Sequence, residues 1–230
     1  MHNGKGYFFL TETYLQISIM TIKTFTFNPF MENTYVAYDE TKECIIIDPG
    51  CVTEAEQKTL QQFITNNQLI VKHLINTHLH LDHAFGNNFV EKTFGVAAQA
   101  HQADEFLLAQ ISAQAKAFGM HYAEEPYHLK NYLSDDDKIT FGNTTLSAIH
   151  VPGHSPGSLC YYDAVSATLF AGDVLFQGSI GRTDLPKGNY EQLIEGITNK
   201  LFTLPAETTV YCGHGPSTSI GYEKVYNPYL

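Results

Sequence analysis

Seven residues, Thr77-His78-Leu79-His80-Leu81-Asp82-His83, constrain this chain more than any other feature of it. They hold three imidazoles and one carboxylate, side chains that ligate Zn²⁺ and similar ions. His78, His80, Asp82 and His83 cannot all face one way on a regular strand or helix. A strand running into a tight loop and then a helix resolves this. It turns His78 and His80 to one side and Asp82 and His83 to another. Two ligand pairs aimed at neighbouring points suggest two ions. The competing reading is a polar loop that happens to contain histidine, but so dense a set of ligand types is hard to place without a shared ion.

Three more ligand-type residues follow, each just past an apolar, strand-like run and beside glycine. His154 lies in Val151-Pro152-Gly153-His154-Ser155-Pro156-Gly157-Ser158, after Thr145–His150. Asp173 ends Thr168-Leu169-Phe170-Ala171-Gly172-Asp173, and His214 closes Thr208-Thr209-Val210-Tyr211-Cys212-Gly213-His214. Strand ends with glycine turns are where rigid scaffolds present reactive side chains. One histidine in such a place is most often structural; three such sites together with the opening cluster point to a single centre. These residues must converge from positions 78 to 214, so no domain boundary falls between them. A chain of 230 residues is long enough for one large domain.

The order His-x-His-x-Asp-His, Pro-Gly-His, Gly-Asp, Gly-His-Gly resembles the metallo-β-lactamase superfamily. Within it, the chain from about Thr21 to Leu230 is most similar to the short glyoxalase II-like (hydroxyacylglutathione hydrolase-like) proteins. The resemblance implies an α/β fold, a single-domain four-layer αββα sandwich with metals at one edge of its sheets. It implies His78, His80 and His154 at a first metal, Asp82, His83 and His214 at a second, and Asp173 bridging both. The implied cofactors are two divalent ions, Zn²⁺ by expectation and Fe or Mn as alternatives. The implied reaction is metal-assisted hydrolysis of a small-molecule thioester, with Asp173 fixing the ions and Asp82 orienting the attacking hydroxide. Two other readings stay open: a mononuclear iron persulfide dioxygenase on the same fold, and a non-catalytic metal-binding protein. Longer glyoxalase II enzymes carry a C-terminal helical domain with much of the glutathione-binding surface. This sequence stops soon after His214-Gly215-Pro216, so that surface is not expected and the carrier thiol stays open.

One count adds a candidate. The chain has 13 basic residues, and Arg182 is the single arginine among them. It lies in Gly181-Arg182-Thr183-Asp184, soon after Asp173. Lysine cannot copy the planar fork of a guanidinium. Arg182 is therefore expected either to bind a substrate carboxylate or to brace the loop at the metal edge through Asp184 or a backbone carbonyl.

A net charge of −11 argues against a nucleic-acid surface. Residues 1–19 carry neither an uninterrupted apolar run nor a cleavage site, and no stretch is long enough to span a membrane. The expectation is a cytoplasmic enzyme without membrane partner. Residues 1–19 are read as an extension outside the functional domain at 20–230. Oligomeric state is not readable. Cys44, Cys160 and Cys212 read as reduced core residues, and Cys51, after a turn, as more exposed. Strands are expected at Ile22–Phe27, Thr34–Tyr38, Cys44–Asp48 and Ile70–Asn76. Helices are expected at Glu54–Asn66, capped by Thr53 and Glu56, and at Ala103–Phe118, Tyr190–Leu201 and Ser217–Tyr226. Asp48 is expected to orient the ligand loop from behind. His73, His101 and His128 read as surface residues; His150 could fall near the site or be an ordinary strand residue.

Overall fold

The computed structural model describes residues 20–120, 122 and 127–230, so the expected extension lies outside the described residues. The first three strands, β1 (Thr21–Phe27), β2 (Glu32–Tyr38) and β3 (Glu43–Ile47), form an antiparallel meander. In β3 the side chains of Cys44 and Ile46 face one way and those of Ile45 and Ile47 the other, and all four are fully buried. A strand with no solvated face needs cover on both sides, and that requirement sets the number of layers.

One cover is helical. Cys44 and Ile46 pack with Leu60 and Ile64 of α1 (Glu54–Asn66). This helix starts where the sequence places it: Thr53 accepts from the Glu56 amide, and Glu56 reaches back to the Thr53 amide. The other cover is a second sheet. Ile45 and Ile47 pack with Phe141, Leu146, Tyr161 and Phe170.

The first sheet continues in parallel through β4 (Ile70–Ile75), β5 (Ala98–Ala100) and β6 (Asn131–Tyr132). Along the chain, α2 (Leu81–Ala84), α3 (Asn87–Phe94), α4 (Glu105–Leu108) and α5 (Ile111–Ala117) fall between β4 and β6. The second sheet comprises β7 (Lys138–Phe141), β8 (Thr144–His150), β9 (Leu159–Asp163) and β10 (Thr168–Gly172). A small ribbon, β11 (Leu175–Phe176) and β12 (Ser179–Ile180), precedes its last strands, β13 (Thr209–Cys212) and β14 (Thr218–Ser219). Spatial order in this sheet is β14-β13-β10-β9-β8-β7. Its outer face is covered by Leu193 and Ile197 of α6 (Tyr190–Asn199) and Ile220 of α7 (Ile220–Tyr226). The result is the four-layer αββα sandwich. No helix among the described residues is long and apolar enough to cross a membrane.

Three local expectations are corrected. The helix expected over Ala103–Phe118 is broken into a 3₁₀ turn, Gln102–Asp104, and the two short helices α4 and α5. Its first turn is held by Asp104, whose carboxylate is tied to Leu79, Ser155 and Gly157 rather than to its own helix. Cys51 is fully buried, because Gly86 donates to the Pro49 carbonyl at 2.7 Å and docks that turn beneath the metal loop. Burial pushes all four thiols up, Cys44 and Cys212 to about 12. His101 is half-buried and stacks on His150, with ring centroids 4.3 Å apart.

The topology brings the ligand-type residues to one edge. β8, β10 and β13 run the same way in the second sheet, and their ends lead to His154, Asp173 and His214. From the first sheet, β4 leads to His78. The Tyr161 hydroxyl donates to Asn76 O at 2.7 Å, and the Tyr35 hydroxyl to Cys212 O at 2.6 Å, pinning one sheet to the other at that edge.

Candidate metal centre

Asp48 anchors the histidine loop. It sits at φ 49° at the end of β3, a left-handed conformation that is uncommon outside glycine and clusters at functional sites. Its carboxylate accepts from Thr77 N and Thr77 Oγ1, both at 2.6 Å, and from His83 Nδ1 at 3.1 Å. Gly172 faces the same threonine from the other sheet. It has φ 51°, and a Cβ there would collide with Thr77 Oγ1. A Cβ on Gly213 would collide with Asp173 Oδ1. The two sheets approach each other here too closely for any side chain but hydrogen.

His78, His80 and His154 converge. His80 Nδ1 is 2.9 Å from His154 Nε2, and His154 Nε2 is 3.2 Å from His78 Nε2. The outer nitrogens of His154 and His78 assign the protons on those two rings. His154 Nδ1 is 2.8 Å from the Arg182 carbonyl oxygen, which can only accept, so Nδ1 is the donor. Thr77 Oγ1 spends its proton on Asp48 and therefore accepts from His78 Nδ1 at 3.1 Å. In the neutral rings, His78 Nε2 and His154 Nε2 are then both lone pairs, facing each other at 3.2 Å. Two lone pairs at that separation repel unless a cation lies between them. The donor set therefore fits a metal ion.

Asp82, His83 and His214 form a second group close enough to share an ion. His214 Nδ1 donates to Phe30 O at 3.0 Å, and His83 Nδ1 to Asp48. Their inner Nε2 atoms turn toward carboxylates. His214 Nε2 is 3.2 Å from Asp82 Oδ2, and His83 Nε2 is 3.4 Å from Asp173 Oδ1. His83 Nε2 and Asp173 Oδ1 are buried with no hydrogen-bond partner among the described residues, as metal-facing atoms would be. Asp173 lies between the two groups: its Oδ2 is 3.6 Å from His154 Nε2 and 3.5 Å from His214 Nε2. A third group, Asp48, His78 and His83, is equally tight. It is less suited to an ion, because both Asp48 oxygens are committed to Thr77 and His83.

The two groups differ in charge. Burial and the neighbouring imidazoles lower His78 and His80, His80 to about 3. Burial also pulls on His83 and His214, but Asp82 and Asp173 outweigh it and raise both. Burial pushes Asp173 up, and the adjacent His83 more than reverses that, leaving the carboxyl below its usual range.

Two further residues define the site. Asp104 is fully buried and was not legible as a site residue in the sequence. It accepts from Leu79 N at 3.3 Å, Ser155 Oγ at 2.7 Å and Gly157 N at 2.6 Å, so it bolts the His78–His80 loop to the His154 loop. An aspartate eleven residues before Ala115 on a broken helix carries no local signal of this. Arg182 has its side chain on Asp184, Nε to Oδ1 and Nη2 to Oδ2, both at 2.7 Å. Both side chains are exposed, and it is the Arg182 backbone carbonyl that holds His154. His150 turns away, its Nε2 on Pro156 O and its ring on His101.

A pocket of about 440 Å³ opens over the centre, lined by His80, Asp82, His154, Asp173, Arg182 and His214 together with apolar side chains.

The metallo-β-lactamase superfamily model matches residues 27–214, and the chain belongs to that superfamily. It is 35% identical over 212 residues to the hydroxyacylglutathione hydrolase GloC of Haemophilus influenzae, spanning 92% of this chain and 98% of that protein. Among solved structures it is similar to the BLEG-1 B3 metallo-β-lactamase, with a TM-score of 0.83 and 36% identity over 91% of this chain and 99% of that one. TTHA1623 in a di-iron-bound form gives a TM-score of 0.79 and 33% identity over 90% and 100%.

Proposed function

We propose that this protein is a dinuclear metal-dependent thioester hydrolase of the glyoxalase II-like type. The observation that carries the reading is the pair of lone pairs, His78 Nε2 and His154 Nε2, held face to face by fixed partners on their far sides. His78, His80 and His154 would hold one divalent ion, Asp82, His83 and His214 the other, and Asp173, between the two groups, would serve both. Zinc is the first ion to try, with iron or manganese as alternatives. When bound, such ions supply Lewis acidity and lower the pKa of water toward neutrality.

The protein residues narrow the chemistry. Among the described residues, no Cys, Lys, Tyr or Glu lines the pocket, so no side chain there is free to protonate a poor leaving group. A thiolate, with a conjugate acid near pKa ~8.5, departs without that help. An amide nitrogen does not. No cysteine can act as nucleophile either, since all four are buried with raised pKa values. Asp82, on the pocket wall, would orient the water, and Asp173 would fix the ions. The GloC relative carries a name of this activity class.

The test is metal analysis combined with activity. Protein reconstituted with Zn²⁺, Fe²⁺ or Mn²⁺ is expected to hold two equivalents and to hydrolyse S-lactoylglutathione or another thioester. One equivalent at most, or one iron with oxygen consumption on a persulfide, would overturn the proposal in favour of the mononuclear dioxygenase. Turnover of β-lactams without turnover of thioesters would place the substrate elsewhere in the superfamily.

A further inference from the structure

Metal chemistry does not explain the rest of the pocket wall. Apart from the candidate ligands it consists of Phe30, Leu81, Leu107, Phe118, Leu185 and Pro186, with Gln114 and Arg182 as the polar members. Its volume falls in the range of small-ligand sites. Phe30 and Phe118 meet edge to face there, with centroids 5.1 Å apart and planes at 85°. They come from distant segments, the β1–β2 turn and the end of α5. Phe30 is fixed at the centre, since its carbonyl accepts from His214. Phe118 is 62% exposed, an aromatic ring that the core does not claim.

Charge points the same way. Arg182 is the only cation among the described residues lining the pocket, and Asp184 already takes its fork with two hydrogen bonds. The nearby Lys187 lies over the Phe106 ring at 3.7 Å. Glutathione carries two carboxylates and an ammonium; among the described residues this wall offers its carboxylates no uncommitted cation. The protein as a whole is acidic, at −11.

We propose that the pocket selects thioesters by an apolar acyl chain, on an uncharged thiol in preference to glutathione, with Phe118 and Phe30 gripping the chain. This rests on the thioester reading above. In the reaction the water oxygen bonds to the acyl carbon and the C–S bond breaks. Sulfur leaves with its electron pair and takes up one proton, and the other goes to solvent.

The test uses the metal-loaded full chain and two readouts. The first is kcat/KM for acetyl and hexanoyl thioesters of N-acetylcysteamine and of glutathione. The second is the Kd of S-(2-oxoheptyl)-N-acetylcysteamine, a ketone analogue without a cleavable thioester, against its 2-oxopropyl counterpart. Hexanoyl is expected to exceed acetyl by about tenfold or more, as buried methylenes allow. The same ratio is expected in binding. Both ratios are expected to fall toward unity in Phe118→Ser, and Leu185→Ala to reduce them in part, with metal content unchanged. Turnover that ignores chain length, or favours glutathione over the uncharged carrier by about tenfold, overturns this inference while the hydrolase reading stands. Selective binding of the long ketone without any thioester turnover does the reverse.

Discussion

The two metal-ready groups differ in how their charges are arranged. In the first, three imidazoles crowd together, and burial and the neighbouring rings lower His78 and His80. In the second, imidazoles lie against carboxylates, which raise His83 and His214. The first group is therefore poised to accept a cation and gains by doing so at once. The second must shed protons first. Both are held by the same device, an outer nitrogen tied to a fixed acceptor, which aims the inner one. What differs is the company of the inner atom.

The contrast breaks most severely at Asp173, which lies between the groups. Asp173→Ala is expected to reduce bound metal from two equivalents to at most one and activity by roughly a hundredfold or more. Retention of both ions with full activity would show that the groups do not share it. Metal analysis and steady-state kinetics decide.

Asp104 touches only the first group's loops. Asp104→Ala leaves buried amides of Leu79 and Gly157 unpaired and is expected to cost about 2–4 kcal/mol by chemical denaturation. Affinity of the first ion should fall roughly ten- to a hundredfold while that of the second holds. Equal loss at both would mean that the two groups form one rigid unit.

Acidity separates them more gently. Between about pH 8 and pH 6 the second ion's affinity is expected to fall, because His83 and His214 are raised and take up protons in competition. The first ion's affinity should fall less over that window, since His78 and His80 are lowered, His80 to about 3. In metal-free protein the signs follow linkage. The depressed His78 and His80 contribute stability above pH 6.5 that is lost as pH falls through their lowered values, about 3 for His80. The raised His83 and His214 contribute stability below 6.5 that is lost as pH rises through their folded values. Calorimetric titration across this range gives both.

The smallest effect belongs to Arg182. Its pair with Asp184 is exposed and screened by solvent, so it contributes little to stability. Arg182→Lys should keep both ions, because the backbone carbonyl that holds His154 is untouched. A tenfold rise in KM for a carboxylate-bearing substrate would show that the fork leaves Asp184 to bind it.

The sequence made the ligand-type residues legible because imidazoles at Thr77–His83 have no structural role in such density. It also placed α1, since the Thr53–Glu56 cap is a local device. Asp104 and the burial of Cys51 were not legible, because each depends on segments far away in the chain: Ser155 and Gly157 for one, Gly86 for the other. The Arg182 carbonyl escaped notice for a different reason. A backbone group that holds His154 leaves no trace in residue identity.

Asn33 reaches across 179 and 182 residues to the carbonyls of Cys212 and Gly215, and His214 itself across 184 to Phe30. The His214 loop is thus stitched to the beginning of the chain. Contacts this distant form late, after the closure entropy of everything between has been met. During refolding, loading of the second ion should therefore lag behind secondary structure and coincide with the final docking of the two sheets. That makes the ion a clock for the last event in folding.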